Sequence, residues 1–399
     1  MELECKVQNY AWGKKGSNSL VAALIGNVDK NFNLSKDVPY AELWMGTHVN
    51  APSMIKNSGE SLSSVISNHP EYLGEMVSKM FSNQLPFLFK VLSVDKALSI
   101  QAHPSKKHAE DLHAKYPDIY KDPNHKPELA IALTPFEALC GFRPINEIRK
   151  FVKEIPELSS IIDGQEVEND DLFLRKAFRS VLTCEKTMMA ETIQNITQRY
   201  KTFDQSQKDL YLADLVIRLN DEFPNDNGIL MVYFLNYLQL QPGEAIFLAA
   251  NEPHAYLYGD CIENMACSDN VVRAGLTPKF VDVDTLCAML NYKGENPSDK
   301  IFQPIIEDQF TKLYKPPVID FAVAGIKIPS LTTKSYQLLK RESASILIVI
   351  SGNAKYNKTE ALIPGKTLFI PANDVLEVSD VTEDLLIYQA LANICECKK

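Results

Sequence analysis

The sequence lacks several features that would assign it to common classes of protein. It has no apolar stretch long enough to span a bilayer, and the segment after Met1 lacks the apolar core of a secretion signal. It has no excess of positive charge, since 41 Lys and Arg residues stand against 51 Asp and Glu residues, a net charge of −10. That balance argues against nucleic acid as a partner. We therefore expect a cytoplasmic protein with neither a membrane nor a nucleic-acid partner, in which an anionic ligand would need a local cluster of Lys and Arg.

The sequence also lacks the closely spaced cysteines of a zinc finger. Eight cysteines are scattered along the chain, and the two close pairs, Cys261/Cys267 and Cys395/Cys397, do not have zinc-finger spacing. We interpret the cysteines as reduced structural or surface thiols, as is usual in the cytosol. They do not predict a structural zinc site.

Hydrophobic periodicity divides the 399 residues into regions of different character. A chain of this length exceeds one ordinary core, so we expect two or three domains. The first 100 residues favour strands with long loops and short helices. Residues 145–228 favour several amphipathic helices, one of them over Asp209–Leu219. Strand character returns at Ile229 with turn signals at short intervals, which is typical of a sandwich or barrel.

An internal repeat supports the barrel interpretation. Residues 242–251, PGEAIFLAAN, align without gaps on residues 364–373, PGKTLFIPAN. In both copies a Pro-Gly turn leads into an apolar strand that stops at an Asn-containing turn, a recurring unit of cupin-like jelly-roll barrels. Three residues further on the copies differ, because the first has His254 and the second has Leu376. The first copy is therefore the one that could bind a metal ion.

The clearest chemical signal lies between residues 99 and 128. Gln101 and His103 are two residues apart, so on an extended strand their side chains leave from the same face. Glu128 follows after a short helical segment, and the three residues could form three sides of a divalent metal site. His254 is the best candidate for the fourth side. This set suits Zn²⁺ and would also accept Mn²⁺, Co²⁺ or Fe²⁺. Taken singly, His103 and Glu128 are more readily explained as ordinary core or surface residues.

A loop at residues 269–279 supplies local positive charge in an otherwise acidic chain. Arg273 and Lys279 bracket its turn residues, and a phosphate group would favour an arginine fork beside a lysine. Lys126 would add a third positive group, and an ordinary solvated loop is the alternative explanation. Lys90 interrupts an apolar strand and could either extend outward to solvent or point into a polar cavity. The sequence does not decide between these two positions.

Several longer motifs carry a family resemblance. They are Asn9–Gly13, Glu42–His48, Leu85–Val94, Ser99–Pro104, Asn124–Glu128, Phe136–Pro144 and Asp269–Lys279. Together they resemble the type I mannose-6-phosphate isomerases. The resemblance is close over residues 1–144 and 229–290, and looser through the helical region and the C-terminal barrel. Motifs of this length are far more specific than the spacing of the metal ligands alone.

The resemblance implies a role for each matching residue. The family's zinc ligands fall on Gln101, His103, Glu128 and His254, with one Zn²⁺ per chain, and its catalytic arginine falls on Arg273. Its remaining pocket residues fall on Trp12, Glu42, Lys90, Ser99, Lys126, Tyr256, Glu263, Asp269 and Lys279. None of these positions is substituted.

The resemblance also implies a fold that is mainly β with an α-helical insertion. We expect a catalytic cupin-type jelly-roll barrel from residues 1–144 and 229–304, and a helical domain from residues 145–228. A second, cupin-like β domain would follow over residues 305–399. The role of the helical domain stays open: it could form a lid, a wall of the cleft or an interaction surface.

The activity that the resemblance implies is the interconversion of mannose 6-phosphate and fructose 6-phosphate through an enediol, within mannose and GDP-mannose metabolism. The proton carrier stays open among Glu263, Asp269, Lys126 and a water bound to the metal. One alternative is a metal oxygenase or epimerase, which four protein ligands disfavour. Another is a non-catalytic cupin that binds a sugar phosphate or a metal. We expect a monomer whose partner is the sugar phosphate.

Overall fold

The computed structural model describes residues 1–330 and 335–394. Within them the chain forms two β-rich parts, and a group of helices is inserted between two strands of the first part. The expected fold, mainly β with a helical insertion, is confirmed. The six described cysteines are free thiols, whereas Cys395 and Cys397 lie outside the described residues. Among the described residues, no helix combines the length and apolarity needed to cross a membrane.

The chain begins with strands whose loops carry short helices. The strands are β1 (Leu3–Glu4), β2 (Lys6–Gln8), β3 (Glu42–Met45), β4 (Met54–Ile55), β5 (Phe87–Val94), β6 (Ile100–Ala102), β7 (Glu128–Ala132) and β8 (Phe136–Phe142). The helices are α1 (Leu20–Val28), α2 (Leu62–Asn68), α3 (Glu75–Met80) and α4 (Lys106–Lys115). Helix α4 follows β6 directly because the Ser105 side chain accepts a hydrogen bond from the His108 amide and caps the first turn. The helix therefore starts three residues after His103.

Six helices follow β8. They are α5 (Ile145–Glu154), α6 (Pro156–Ser159), α7 (Asp170–Thr183), α8 (Lys186–Tyr200), α9 (Gln205–Tyr211) and α10 (Ala213–Glu222). Their apolar faces share one core with β8, which includes Phe142, Phe178 and Tyr233. The single helix expected over Asp209–Leu219 is wrong, because Leu212 adopts a left-handed conformation at φ 52° and separates α9 from α10.

The remainder of the chain is again mostly strand. Strands β9 (Leu235–Leu240), β10 (Ala245–Leu248), β11 (His254–Ala266) and β12 (Val272–Gly275), with helix α11 (Val283–Met289), return to the first part. The C-terminal part contains β13 (Ile305–Ile306), β14 (Thr311–Tyr314), β15 (Ala322–Ile328), β16 (Ser335–Gln337), β17 (Ser345–Ser351), β18 (Ala354–Tyr356), β19 (Glu360–Leu362), β20 (Thr367–Ile370), β21 (Glu377–Ser379) and β22 (Leu385–Leu391). All the pairings among these named strands are antiparallel.

Strand β11 connects the two halves of the first sheet. Its C-terminal half, from Gly259, pairs with β5 and β7, so that Glu263 lies opposite Lys90. Its N-terminal half pairs with β8, and His254 at its start also pairs with Gln101 of β6. Strand β12 lies on the other side of β6. One strand thus places residues from both halves of the barrel around the same interior.

Strand β5 is buried on both faces and therefore separates two environments. Phe87, Phe89 and Val91 face a core that includes Phe321 and Phe369 of the C-terminal part. The alternate residues Leu88, Lys90 and Leu92 face the interior of the first part, where the functional side chains lie. Lys90 therefore points into a polar cavity, one of the two positions that the sequence left open.

The sequence repeat corresponds to a structural repeat. Gly243 and Gly365 both adopt positive φ, 90° and 91°, in turns that lead into β10 and β20. Asn251 and Asn373 adopt φ 63° and 67° after those strands. The two strands are the outermost members of their sheets, pairing with β7 and β17 respectively. The shared turns therefore reflect an equivalent position in the two β-rich parts.

Candidate metal centre and pocket

Three potential metal ligands meet inside the first β-rich part. His103 follows β6, Glu128 begins β7 and His254 begins β11, and all three side chains are buried. Their ligand atoms lie within 4.8 Å of one another. Glu128 Oε2 is 3.4 Å from His103 Nε2 and 3.3 Å from His254 Nε2. Antiparallel pairing of three different strands brings together residues that span 151 positions of sequence.

The three facing atoms have no hydrogen-bond partner among the described residues. His103 Nε2, His254 Nε2 and Glu128 Oε2 are all buried and unpaired. Buried polar atoms are normally satisfied, since an unpaired one loses its hydration without compensation. Two imidazole nitrogens and a carboxylate oxygen are the donor types that Zn²⁺ takes in proteins. The residues present therefore fit a zinc ion at the point where these atoms converge.

Each histidine is oriented through its other ring nitrogen. His103 Nδ1 donates to the Asn270 carbonyl at 2.7 Å, and His254 Nδ1 donates to the Glu252 carbonyl at 2.9 Å. A donor proton on Nδ1 leaves the lone pair on Nε2, which is directed at Glu128. Both rings thus present the tautomer that binds a cation.

The charge states of the site also suit a cation. Burial lowers the pKa of His103 to about 4, so that its imidazole is neutral at physiological pH. Burial alone would raise the pKa of Glu128, but Lys126 and the histidines outweigh it and hold this pKa well below the usual range. Lys126 Nζ lies 3.2 Å from Glu128 Oε1, while Oε2 faces the histidines. Glu128 is therefore an ionised ligand with one oxygen available.

Gln101 lies on the same face of the sheet as His254 and Arg273. In the strand register Gln101 is directly opposite His254 on one side and Arg273 on the other. Directly opposite residues of antiparallel strands project from the same face. Ser99 Oγ donates to Gln101 Oε1 at 3.3 Å, which leaves this carbonyl oxygen a second lone pair. The register thus places Gln101 next to His254, one of the three buried ligands.

Arg273 differs from Lys90 and Lys126 because its side chain has no hydrogen bond or ion pair with any residue that the structure describes. Its side chain is half-buried, and burial lowers the pKa of its guanidinium, which nevertheless stays charged at neutral pH. A half-buried cation without a protein anion beside it is suited to an anionic ligand. Lys279, in contrast, is exposed. The structure records no contact of the Lys279 ammonium with the other candidate residues.

A row of polar side chains crosses the interior beside the metal ligands. Lys90 Nζ lies 2.8 Å from Glu263 Oε2 and 3.4 Å from Glu42 Oε2, and the Trp44 indole donates to the same Glu42 oxygen. Burial alone would lower the pKa of Lys90, but the two carboxylates reverse this and raise it above its ordinary value. Burial raises the pKa of Glu263, although the charge of Lys90 opposes the effect.

Two aromatic residues line this interior. The Tyr256 hydroxyl is buried without a hydrogen-bond partner among the described residues, and burial followed by the charge of Glu263 raises its pKa well above normal. Its ring is 6.5 Å from that of His254. Trp12 is half-buried, packs against the same apolar cluster as Tyr256 and stacks with Tyr10 at 5.8 Å. These rings form an apolar wall next to the charged row.

Asp269 lies at the exposed edge of the pocket. Its partner there is His48, a residue to which the sequence analysis assigned no role. His48 Nε2 is 3.4 Å from Asp269 Oδ1, and the His48 ring packs edge-on against Trp44 at 4.9 Å. Contact with His48 lowers the pKa of Asp269, and the charges of Lys126 and Lys90 act in the same direction. His48 belongs to the Glu42–His48 motif, which was the one signal that could have identified it.

Family models match most of the chain. The catalytic domain of type I phosphomannose isomerase matches residues 1–145, the helical insertion domain of the same type matches residues 152–235, and its C-terminal part matches residues 312–360. Relatives of known name match nearly the whole chain. Mannose-6-phosphate isomerase from Mus musculus is 46% identical and that from Homo sapiens 45%, each over 97% of both chains. Mannose-6-phosphate isomerase 1 of Arabidopsis thaliana is 39% identical over 98% of this chain and 93% of its own.

Solved structures agree with these matches. The apo form of mannose 6-phosphate isomerase from Salmonella typhimurium superimposes with a TM-score of 0.85 at 32% identity, covering 98% of each chain. A mannose 6-phosphate isomerase bound with zinc and yttrium superimposes with a TM-score of 0.86 at the same identity and coverage. The similarity thus extends over both β-rich parts and the helices inserted between them.

Proposed function

The chain belongs to the type I phosphomannose isomerase family, and from this membership we infer that it interconverts mannose 6-phosphate and fructose 6-phosphate. The reaction is a zinc-dependent aldose–ketose isomerisation through an enediol. The observation that carries this conclusion is the set of three buried, unpaired ligand atoms on His103, Glu128 and His254. Such a set has no structural purpose without a cation, because its polar atoms would otherwise be buried at a cost.

We propose that Gln101 completes the ligand set with His103, Glu128 and His254. A zinc ion held by these residues would supply electrophilic stabilisation of negative charge on the substrate oxygens. Apart from the substrate, the groups around the zinc ion would be residues of this chain. Lys126 neutralises one oxygen of Glu128 and leaves the other for the metal.

We assign to Arg273 the stabilisation of negative charge in the transition state. Its guanidinium is charged, half-buried and unpaired among the described residues, so it can bind an enediolate without first breaking a protein ion pair. An arginine stabilises such charge better than it removes a proton, because it keeps its own proton at neutral pH. We therefore propose an electrostatic role for Arg273.

Glu263 is the proton carrier that we favour. It faces the interior, and its raised pKa brings the carboxyl group closer to the neutral range, where an acid–base catalyst exchanges protons most effectively. Lys90 holds one of its oxygens in place at 2.8 Å. Asp269 is less suitable because its pKa is lowered and its side chain is largely exposed.

The other proposed substrate contacts surround these residues. Ser99 and the lysines would meet the phosphate, while Trp12 and Tyr256 would shape the wall against which the sugar packs. The full proposed set is Trp12, Glu42, Lys90, Ser99, Lys126, Tyr256, Glu263, Asp269 and Lys279. Lys279 is the most peripheral, and we assign it to the phosphate end at the mouth of the pocket.

We propose the following organisation and setting for the protein. The catalytic domain comprises residues 1–144 and 229–304, the helical domain residues 145–228 and the C-terminal domain residues 305–399. The separate matches of the family models to residues 1–145, 152–235 and 312–360 support this division. We further propose a cytoplasmic monomer that serves mannose and GDP-mannose metabolism, and the free thiols of the six described cysteines favour that location.

A coupled isomerase assay tests the activity and the role of the metal together. Purified protein is assayed with mannose 6-phosphate as prepared, after exhaustive chelation, and after addition of Zn²⁺. We expect turnover that is lost on chelation and restored by Zn²⁺. Absence of turnover with Zn²⁺ present would leave a non-catalytic cupin as the better interpretation. Turnover that survives complete removal of the metal would refute the role of zinc.

A further inference from the structure

The orientation of His103 depends on a carbonyl group that no strand holds in place. The Asn270 carbonyl accepts the Nδ1 proton of His103 at 2.7 Å. Asn270 lies between the end of β11 at Ala266 and the start of β12 at Val272, where the chain has no regular secondary structure. The corresponding carbonyl for His254 lies two residues before β11. The geometry of His103 therefore depends on whatever fixes the loop around Asn270.

A compact polar network fixes that loop. We name it the Asp122 cluster, comprising Asp122, Asn124, Ser268 and Asn270. The Asn270 side-chain amide donates to the Asp122 carbonyl at 2.6 Å and to the Asn124 carbonyl at 3.0 Å. Ser268 Oγ donates to Asp122 Oδ1 at 2.8 Å and accepts from the backbone N–H of Asn270 at 3.2 Å. Ser268 and Asn270 are almost completely buried.

The Asp122 carboxylate is the centre of the cluster. Its Oδ1 also accepts from the Asn124 amide at 2.9 Å, and its Oδ2 accepts from the Asp269 amide at 2.9 Å. One carboxylate therefore joins the loop that precedes Glu128 to the loop that carries Asp269 and Asn270. Charged acceptors form stronger hydrogen bonds than neutral ones, so the loss of this carboxylate should loosen both loops.

We propose that Asp122 is a positioning residue for the zinc site, which it serves through the Asn270 carbonyl and His103. It touches neither the metal nor the substrate. The proposal rests on the proposed function only for the identity of the metal. Partners that orient a ligating histidine typically change metal affinity by about 10- to 100-fold when they are removed. Because Asp122 acts through Asn270 and does not contact His103 itself, we expect a change in metal affinity near the lower end of that range.

The test measures zinc release, which does not require catalysis. The zinc-loaded protein is mixed with an excess of a chromogenic chelator, and the release rate is compared between wild type and Asp122→Ala. We expect release to be about tenfold faster in Asp122→Ala. With Co²⁺ in place of Zn²⁺, we expect a shifted visible spectrum, because the changed angle of His103 alters the ligand field. A protein that binds zinc but has no isomerase activity would refute the proposed function and leave this measurement intact.

Two further variants separate positioning from general destabilisation. Asp118 lies in the same loop, is exposed and has no recorded side-chain partner, so Asp118→Ala should match wild type in release rate and spectrum. Asp122→Asn keeps an acceptor for Ser268 but places an NH2 group opposite the Asp269 N–H, so its release rate should lie between those of Asp122→Ala and wild type. If Asp122→Ala does not fold, Ser268→Ala replaces it with the same expected direction. A folded variant of Asp122 or Ser268 with wild-type release and an unchanged cobalt spectrum would overturn the proposal.

Discussion

Replacement of Arg273 by alanine should separate catalysis from folding and from metal binding. The guanidinium is unpaired among the described residues, so its removal leaves no buried carboxylate without a partner. We therefore expect a change of about 1 kcal/mol or less in the free energy of unfolding. Zinc content should be unchanged, because Arg273 lies one strand beyond Gln101 and contributes no ligand atom.

The expected loss of turnover follows from the position of the charge. Two unit charges about 5 Å apart interact by about 3 kcal/mol at an effective dielectric constant near 20. If that interaction is made only in the transition state, its removal corresponds to about a 200-fold fall in kcat. Arg273→Lys keeps the charge but loses the fork, so a smaller loss, about tenfold, is expected.

The assay is steady-state isomerase activity of the wild-type, alanine and lysine proteins at saturating mannose 6-phosphate, with zinc content and thermal unfolding measured on the same samples. Because the Arg273 side chain is only half-buried, added guanidinium at concentrations that do not denature should reach its place and partly restore the alanine variant. A kcat within threefold of wild type in a folded, zinc-loaded alanine variant would refute the assigned role. A large fall in kcat accompanied by loss of zinc would mean that Arg273 supports the metal site instead.

Two further predictions concern a buried lysine and ion pairs of the N-terminal Glu2. Lys90→Met should lower the free energy of unfolding in urea by about 3–5 kcal/mol, because it leaves two buried carboxylates uncompensated. A second change, Glu263→Gln, should recover part of this loss, and a loss below about 1 kcal/mol would contradict the interpretation. Burial would raise the pKa of Glu2, but Lys366 and Lys56 outweigh it and lower that pKa below 4.5. The ion pairs of Glu2 should therefore stabilise the fold at pH values above the ordinary pKa of a glutamate. They should lose their effect as the pH falls through the lowered pKa that Glu2 has in the folded protein. Glu2→Gln should be less stable than wild type by about 1 kcal/mol or less at pH 7, and a difference that widens towards acid pH would be inconsistent with this sign.

Local sequence patterns predicted the fold well where a feature depends on a single strand or helix. The apolar strand around Lys90 and the short helical segment before Glu128 depend only on neighbouring residues, and both are present, as β5 and α4. The split between α9 and α10 was missed because Leu212 adopts a left-handed conformation that its side chain does not favour. Hydrophobic periodicity reports which residues face a core and does not report the backbone conformation of a single residue such as Leu212.

The chemistry of the candidate site could be predicted from residue types, but its charge arrangement could not. Lys90 illustrates the difference, since its two possible orientations are distinguished only by Glu263 and Glu42, and Glu263 is 173 positions away in the chain. The same holds for Asp122, whose value to the site lies in contacts with a loop about 146 residues further along. His48 was overlooked for the same reason, because its partner Asp269 comes from a different strand connection.

The sequence by itself determined which residue types could act as donors and how they are spaced. Gln101 and His103 are two residues apart, a spacing that predicts one strand face, and the repeat distinguishes His254 from Leu376. Only the tertiary structure decided that the unpaired nitrogens of two histidines and one oxygen of Glu128 converge within 4.8 Å. The physical reason is that ligand type is a property of a residue, whereas convergence is a property of strand pairing. In this protein β11 crosses both halves of one sheet and brings His254 to Gln101 and Glu263 to Lys90.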